Sequence, residues 1–453
     1  MPHLLEKFAE LRRSRPAAPK HRRRSWREPH PHEAGWHWTF VVLAIVMSLV
    51  AYFWYTSSHI LREPIRVKYG PADPEFSAAL GPLLGAEFVG GNSVETLLNG
   101  DEFFPVMLDD IRHAKKTITL ETYIWSPGMV SDQFIAALTE RARHGVKVHV
   151  MLDGMGTLKF THDDRERLTS AGVQVLTYGR QHWYEIKPNI NQRTHRKLLI
   201  IDGRIGFTGG MCIDDKWQGH AESPKVWRET EVRVTGPVVR EMQAVFEANW
   251  LQTTSGLVLG AGYFPELERT GTTIAECFES GPGEHAESAR LSYLMAIAAA
   301  RKTIDITHAY FVPDDLAIET LLEARKRGVR IRVIVPAIND SRFGRAASRS
   351  RWGRLLAAGV EFYRYTPAML HAKTMIVDDL FVSVGSVNFD NRSFSINDED
   401  ALNVLDGSVA RDFQRAFADD LKHCTPLTLR EFENRPFSIK LADWFCGLFR
   451  SQL

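Results

Sequence analysis

Two histidine and lysine pairs carry the most specific chemical signal in the chain. His371 and Lys373 precede a β-branched run, 374–377, which an acidic pair separates from a second apolar run beginning at Phe381. This pattern predicts a β-hairpin. Residues two apart on a strand face the same side, so the imidazole and the ammonium group lie next to each other. Such a pair places a nucleophile or an acid beside a positive charge that suits a phosphate group.

The same pattern occurs earlier in the chain. His195, Lys197, Asp202 and Gly209 have the spacing of His371, Lys373, Asp378 and Gly385. A single histidine on a strand is usually structural. Two copies with identical spacing do not arise readily by chance, so the repeat indicates a shared chemical role.

The repeated pattern His-x-Lys-x4-Asp-x6-Gly-Ser-x-Asn resembles the phospholipase D superfamily. Residues 388–394, together with Asn397 and Glu399, are similar to the bacterial cardiolipin synthase branch in particular. The resemblance covers about residues 90–425. The first copy departs from the pattern, with Gly210 in place of serine and Cys212 in place of asparagine, which leaves Asn388 as the only motif amide.

Other segments also recur in the same order. Residues 114–120, 144–148 and 171–175 resemble residues 300–306, 327–331 and 358–362. Helix-length segments, such as 131–144 and 316–327, alternate with short β-branched strands, which is typical of an α/β sandwich. An internal duplication explains the repeat. We therefore predict an α/β protein of two duplicated sandwich lobes that share one composite active site, so neither lobe is expected to work alone.

Two histidines and two lysines could catalyse phosphoryl transfer without a metal or another cofactor. One imidazole would attack phosphorus to form a phosphohistidine, and the other would protonate the departing alcohol. Lys197 and Lys373 would hold the phosphate charge, with Asn388 and Ser386 as phosphate-binding donors. The superfamily resemblance implies a carboxylate that orients each histidine, and Glu229 and Glu399 fit that role. The same analogy favours His195 as the nucleophile.

The motif aspartates complete the candidate catalytic set. That set is His195, Lys197, Asp202, His371, Lys373 and Asp378. Asp202 and Asp378 fall at the predicted hairpin turns, where aspartate is common for structural reasons. A structural role is favoured for both, and an exposed position on a strand edge is the alternative for Glu229.

The 453-residue chain is long enough for two lobes and an appendage. Its four cysteines lie far apart, without a Cys-x-x-Cys pair, so zinc and redox motifs have no support. The net charge of +1 conceals a basic N-terminal segment, since residues 1–35 contain nine Lys or Arg and four Asp or Glu. We predict a disordered basic tail over 1–35.

Residues 36–56 are apolar, uncharged over 39–55 and flanked by aromatic residues. This is about the length of one bilayer crossing, roughly 20 residues, and predicts a transmembrane helix rather than a buried helix or a cleaved signal peptide. The excess of basic residues before it predicts a cytoplasmic N-terminus. The catalytic part would then lie on the outer side of a bacterial inner membrane. Domain boundaries follow as a linker over 57–90, lobes over 91–255 and 265–425, and an amphipathic C-terminal segment over 426–453.

Two further segments favour a lipid substrate. Residues 341–354 contain five arginines, two aromatic residues and no acid, a composition that suits lipid phosphates, although single-stranded nucleic acid or a solvated helix face would also explain it. The five candidate lipid-binding residues are Arg342, Arg345, Arg349, Arg351 and Arg354. Near the C-terminus, six large apolar residues between 437 and 449 share one helical face, which could enter a membrane interface or pack on the core.

The resemblance implies a membrane phosphatidyltransferase of the cardiolipin synthase type. Phosphatidylglycerol would donate its phosphatidyl group, and the hydroxyl of a second phosphatidylglycerol would accept it with release of glycerol. The alternatives are a phospholipase D-type hydrolase, a nuclease and a non-catalytic scaffold on anionic membranes. Anionic phospholipids are the expected partners, and nucleic acid is disfavoured by the predicted membrane helix.

Overall fold

The structure is a computed structural model that describes residues 31–56, 61, 63–179, 191–283 and 286–452. It divides into two compact units, residues 1–52 and 53–453, which are described separately. The first contains most of helix α1 (Pro31–Thr56). The predicted basic tail lies outside the described residues except for 31–35, which begin α1. Among the residues whose placement is described, no helix has the length and apolarity that a membrane crossing requires, so the transmembrane prediction for 36–56 is not supported.

The second unit begins with a helix that packs on the core. Helix α2 (Pro74–Leu84) falls within the stretch that was predicted to be a linker, 57–90. Phe76, Leu80 and Leu84, spaced four residues apart on one helical face, are buried in the core of the second lobe. This part of the predicted linker is therefore a structural element of the catalytic unit.

The first lobe alternates helices and strands as the sequence predicts. Its elements are β1 (Val89–Leu98), α3 (Asn99–His113), β2 (Thr117–Thr122), α4 (Met129–Arg143), β3 (Lys147–Asp153), α5 (His162–Ser170), β4 (Gln174–Tyr178), β5 (Leu198–Ile201), β6 (Ile205–Gly209), β7 (Trp227–Arg228), β8 (Thr230–Thr235) and α6 (Val239–Thr254). Strands β2, β3 and β4 are parallel, and the hairpin β5–β6 joins β2 in antiparallel fashion.

The second lobe repeats this order. Its elements are β9 (Thr273–Ser280), α7 (Ser288–Ala299), β10 (Thr303–His308), α8 (Asp315–Lys326), β11 (Arg330–Pro336), α9 (Arg342–Arg349), α10 (Gly353–Ala357), β12 (Glu361–Tyr365), β13 (Met369–Leu370), β14 (Lys373–Val377), β15 (Phe381–Gly385), α11 (Asn391–Ser395), β16 (Glu399–Leu405), α12 (Gly407–Lys422) and β17 (Cys424–Leu427). Two C-terminal helices follow, α13 (Leu429–Glu433) and α14 (Phe437–Gly447).

The sheets of the two lobes are continuous. Strands β1 and β9 pair antiparallel and join the halves into one 15-stranded sheet, in the order β17-β12-β11-β10-β14-β15-β16-β9-β1-β8-β6-β5-β2-β3-β4. Reading outward from the β1–β9 junction, β8, β6, β5, β2, β3 and β4 correspond to β16, β15, β14, β10, β11 and β12. The mixed α/β architecture and the duplication are thus as predicted, with one shared sheet in place of two separate ones.

Candidate active site

The segments that carry the two histidines cross between lobes. The amide of His371 donates to the carbonyl of Arg228 at 2.8 Å, where short strands β13 and β7 pair in parallel. In the other lobe the amide of His195 donates to the carbonyl of Asp398 at 2.8 Å, beside a parallel bridge between Thr194 and Asp398. Each histidine is therefore fixed against the residue that precedes the glutamate of the opposite lobe.

The glutamates follow the same crossed arrangement. His195 Nδ1 lies 2.8 Å from Glu399 Oε2, and His371 Nδ1 lies 2.7 Å from Glu229 Oε2. Both carboxylates are fully buried. A carboxylate that accepts the Nδ1 proton fixes the imidazole tautomer and leaves Nε2 available for chemistry. The structure thus places Glu229 and Glu399 in contact with histidines, each with the histidine of the other lobe.

The lysines lie beside their histidines. Lys197 Nζ donates to the backbone carbonyl of His195, and Lys373 Nζ donates to that of His371. Lys373 Nζ also lies 2.9 Å from His371 Nδ1 and 3.2 Å from Nε2. Burial lowers the pKa of Lys373 to about 8. A buried cation of this kind favours an anionic ligand, which would offset the cost of its desolvation.

Burial and the neighbouring cations also keep the imidazoles neutral. Burial lowers the pKa of His195 well below its ordinary value, and Lys197, Lys373 and His371 lower it further. For His371, burial and Lys373 lower the pKa, while the Glu229 carboxylate opposes them. The glutamate contacts join each histidine to the opposite lobe, and His371 and Lys373 also act electrostatically on His195.

The two glutamates differ in their electrostatic state. Burial raises the pKa of Glu229, but Lys373 and His371 outweigh burial and hold that pKa at about 2. Burial raises the pKa of Glu399, and nearby Lys197 only partly compensates. The carboxyl group of Glu229 therefore has the lower pKa of the two, and it contacts His371.

Each glutamate has a second donor, and these donors explain one departure from the motif. Ser386 Oγ donates to Glu399 Oε2 at 2.5 Å. At the corresponding position in the first lobe, a Cβ on Gly210 would lie 2.5 Å from Glu229 Oε2, so no side chain fits. Trp217 Nε1 donates to Glu229 Oε2 instead, at 3.2 Å. Ser386, which was predicted to bind phosphate, is fully buried, and its hydroxyl is directed at Glu399.

The motif amide and its cysteine counterpart also differ. Asn388 is 8% exposed, and its Oδ1 has no hydrogen-bond partner among the described residues. Cys212 is 1% exposed, and burial raises the pKa of its thiol. Asn388 can therefore contribute a polar group to the site, whereas Cys212 contributes packing.

The motif aspartates lie outside the catalytic cluster. Asp202 accepts hydrogen bonds from the amides of residues 115, 116 and 117, at 2.6 to 2.9 Å. Asp378 accepts them from the amides of residues 301, 302 and 303, at 2.6 to 3.0 Å. Each carboxylate joins its hairpin turn to the start of the neighbouring strand. Their inclusion in the candidate catalytic set is therefore corrected to the structural role that turn chemistry favoured.

Three of the five predicted lipid-binding arginines are paired within the chain. Arg349 donates to Asp443 at 2.7 Å, Arg354 donates to Glu319 at 2.6 Å, and Arg351 donates to Asp315. Arg342 and Arg345 form no ion pair with a carboxylate in the described part of the chain. The arginine cluster is thus divided between structural pairs and two unpaired cations.

Sequence reasoning missed three aromatic residues around the histidines. The Trp217 and Trp227 rings lie 5.4 and 5.0 Å from the His371 ring, and Tyr123 lies 5.0 Å from the His195 ring. Lys197 Nζ lies 5.5 Å from the Tyr123 ring. Trp227 could have been found by its position two residues before Glu229, whereas Trp217, in the 3₁₀ turn Asp215–Trp217, has no comparable signal.

Comparison with known proteins supports the family resemblance that the repeated motif indicated. The family described as "Cardiolipin synthase, PLD-like domain" matches residues 107–250 and 293–421. Cardiolipin synthase 2 of Staphylococcus epidermidis is 32% identical over 354 residues, which are 78% of this chain and 72% of that protein. Cardiolipin synthase 1 of Bacillus anthracis is 31% identical over 364 residues, 79% of this chain and 72% of that protein.

A solved structure shows the same fold. The crystal structure of phosphatidylserine synthase from Haemophilus influenzae superposes with a TM-score of 0.61 at 14% sequence identity, and the match covers 83% of this chain and all of that chain. At this identity the likeness concerns the fold alone. The family match and the identity to its curated members confirm the resemblance seen in the repeated motif: the chain belongs to the cardiolipin synthase family of phospholipase D-like proteins.

Proposed function

We propose that this protein is a cardiolipin synthase-type phosphatidyltransferase. It transfers a phosphatidyl group from phosphatidylglycerol, through a phosphohistidine, to the hydroxyl of a second phosphatidylglycerol and releases glycerol. The observation that carries this proposal is the pair of buried imidazoles, each with Nδ1 held by a glutamate from the opposite lobe. The arrangement leaves two Nε2 atoms and two ammonium groups for one phosphodiester.

In the first half-reaction, His195 Nε2 attacks phosphorus. Its environment supports this role, because burial and the nearby cations keep the imidazole neutral with a free electron pair. The bond between Nε2 and phosphorus forms as the bond from phosphorus to the glycerol oxygen breaks. His371, in its protonated form, gives the Nε2 proton to that oxygen.

Glu229 supports His371 as the acid. Its strongly anionic carboxylate stabilises an imidazolium, as a buried carboxylate does in other histidine-based sites. A bound phosphodiester would also offset the charge of Lys373, which lowers the pKa of His371 in the unliganded site. Substrate binding thus helps His371 to take up the proton that the reaction needs.

In the second half-reaction the roles reverse. Neutral His371 accepts the proton of the incoming hydroxyl, whose oxygen attacks phosphorus and displaces His195 Nε2. Lys197 and Lys373 hold the non-bridging oxygens in both steps, and Asn388 contributes a polar group beside them. Two inversions at phosphorus through a covalent intermediate would give net retention of configuration.

The substrate class implies that the enzyme works at a membrane. We propose action on anionic phospholipids at a bacterial inner membrane, with the cytoplasmic N-terminus and outward catalytic part predicted from the sequence. Labelling of cysteines introduced at exposed lobe positions, in intact and in lysed cells, tests that orientation. Labelling in intact cells by an impermeant reagent is expected, and labelling only after lysis would reverse the topology.

The test of the function uses detergent-purified protein and phosphatidylglycerol labelled in its acyl chains, with excess EDTA. Wild type should form labelled cardiolipin and free glycerol, whereas His195→Ala and His371→Ala should not. Phosphatidic acid as the main product would identify a hydrolase. An absence of lipid turnover would contradict the proposal and direct the assay to single-stranded DNA.

A further inference from the structure

The C-terminal helix α14 presents its apolar side to solvent. Phe437, Leu441, Trp444 and Phe445 are 78%, 51%, 62% and 47% exposed. Their spacing of four, three and one residues places them on one helical face. A surface helix of a globular protein normally turns such a face toward the core. The orientation of α14 is therefore the reverse of the usual one.

The inward side of α14 is polar and is fixed by ion pairs. Asp443 is 2% exposed and accepts three hydrogen bonds from Arg349, the shortest at 2.7 Å from Nη2. Its other oxygen lies 3.2 Å from Arg435 Nη2. Gly447 is buried against Ser350, whose Oγ would lie 2.8 Å from an added Cβ. The helix cannot roll its apolar face inward without separating Asp443 from both guanidinium groups, which would leave buried charges unpaired.

The outward side of α14 carries no acid. Asp443 is the only acidic residue of the helix, and Lys440 is exposed. Arg342, at the start of the adjacent helix α9, is exposed as well. Neither cation forms an ion pair with a carboxylate in the part of the chain that the structure describes. An apolar face bordered by unpaired cations is complementary to an anionic lipid surface.

The residues after α14 form hydrogen bonds with segments of both lobes that adjoin motif residues in sequence. Asn391, three residues beyond Asn388, donates from Nδ2 to the carbonyl of Ser451 at 2.6 Å. Asn191, four residues before His195, donates from Nδ2 to Gln452 Oε1 at 3.0 Å. The C-terminal segment therefore bridges the segments that bear the motif residues of the two lobes.

We propose that α14 docks on the surface of an anionic phospholipid bilayer and holds the mouth of the composite site at that surface. The four exposed apolar side chains enter the interfacial region, and Lys440 and Arg342 contact lipid phosphates. The proposal rests on the proposed function only in taking a bilayer lipid as the substrate. Docking would let a lipid headgroup reach the histidines without leaving the membrane.

The direct test measures contact between Trp444 and acyl chains. The full chain is reconstituted in phosphatidylglycerol vesicles with or without brominated acyl chains, which quench nearby indoles. Because the chain has 11 tryptophans, the emission of Trp444 is taken as the difference between wild type and Trp444→Phe. We expect brominated acyl chains to quench most of the Trp444 emission obtained in this way. Emission that is not quenched would overturn the proposal, and this readout needs no turnover, so it is independent of the proposed activity.

A second test separates docking from catalysis. Leu441→Asp should lower turnover of phosphatidylglycerol in vesicles by about tenfold or more, because a leucine leaves the interface and a charge would have to enter it. Turnover of a short-chain, monomeric phosphatidylglycerol should stay within about twofold of wild type. Leu257→Asp is the matched control, since Leu257 is also 51% exposed but lies in the connection that follows α6, and it should leave both rates unchanged.

Two outcomes would contradict the proposal. Equal losses on vesicle and monomeric substrates would mean that Leu441→Asp damages the site itself. A change from dimer to monomer in sedimentation, without quenching of Trp444, would identify a second copy of the chain as the occupant of the face. If brominated acyl chains quench Trp444 in the wild-type protein but no lipid is turned over, the docking surface stands and the proposed function is rejected.

Discussion

The two lobes hold equivalent histidines with different second donors, and the pKa values of their glutamates are shifted in opposite directions. In one arrangement His195 is paired with Glu399, which also accepts from Ser386. In the other, His371 is paired with Glu229, which accepts from Trp217 and faces Lys373. A duplicated fold thus supplies two imidazoles that are each held by a glutamate at Nδ1, and under the proposed mechanism the groups behind them suit one to attack and the other to proton transfer.

The crossed contacts explain why duplication is needed for this site. Neither histidine contacts the glutamate of its own lobe, so each lobe completes the other. The continuous sheet through β1 and β9 fixes the lobes relative to each other, which keeps both histidine–glutamate distances below 3 Å.

The largest expected difference in rate between the two histidine–glutamate pairs comes from replacing each glutamate with neutral glutamine. Glu229→Gln should lower kcat/KM by about 10³-fold, because the imidazolium of His371 loses its anionic partner. Glu399→Gln should cost about tenfold, since Glu399 mainly fixes the tautomer of a neutral His195. Steady-state kinetics on both variants measure the two losses in kcat/KM, and thermal unfolding serves as the control for folding.

The pH profile distinguishes an electrostatic effect from a structural one. Loss of the Glu229 carboxylate lowers the pKa of His371, so His371 loses its proton at a lower pH. The alkaline limb of the pH–rate profile should therefore move to lower pH. Glu399→Gln should leave that limb in place. Equal rate losses with unchanged profiles would contradict the division of roles between the two glutamates.

Exchanging the second-donor positions gives smaller losses, which are unequal in the two lobes. Gly210→Ser makes the first lobe like the second, but its Cβ would lie 2.5 Å from Glu229 Oε2, so displacement of Glu229 should cost about 10²-fold in kcat/KM. Ser386→Gly makes the second lobe like the first and removes one hydrogen bond, worth about 1 kcal/mol or roughly fivefold. Kinetics that show the reverse order would mean that Ser386 contacts phosphate after all.

The smallest expected effect concerns the charge on Lys373. With a pKa of about 8, the ammonium is present below that pH and is lost as the pH rises through it. Above about pH 8 the kcat/KM for phosphatidylglycerol should therefore fall more steeply than loss of the His371 proton alone requires, and the corresponding change in kcat should come at higher pH because bound phosphate raises the lysine pKa. Lys373→Arg keeps its charge, so this additional fall should be absent whatever the variant's rate. An additional fall that persists in Lys373→Arg would assign it to another group.

The doubled motif was predictable because its signal is local. Strand alternation puts each lysine beside its histidine, and turn chemistry explains Asp202 and Asp378 once their bonds to three successive amides are seen. Helices at Met129–Arg143 and Asp315–Lys326 lie within two residues of their predicted ends. Repetition of these local patterns also predicted the two-lobed architecture.

The pairing across lobes was not predictable, because no sequence spacing relates residues 204 or 142 positions apart. The same limit applies to Trp217, which reaches Glu229 only through tertiary packing. Helix α2 lies in a stretch that was predicted to be a linker because prolines and several glycines occur over 57–90. Ser386 was assigned to phosphate because its burial beneath Glu399 depends on the register of β15 and β16.

The central claim, that the two histidines have unequal roles in one composite site, is tested most directly by trapping the covalent intermediate. The substrate is a phosphatidyl ester of p-nitrophenol labelled in its acyl chains, whose leaving group needs no proton. His371→Asn should release one equivalent of p-nitrophenolate per site in a burst and retain the lipid label on the protein. His195→Asn should do neither. Label on His195→Asn but not on His371→Asn would contradict the assignment of the nucleophile, and a full burst on both variants would contradict the account of a single attacking histidine.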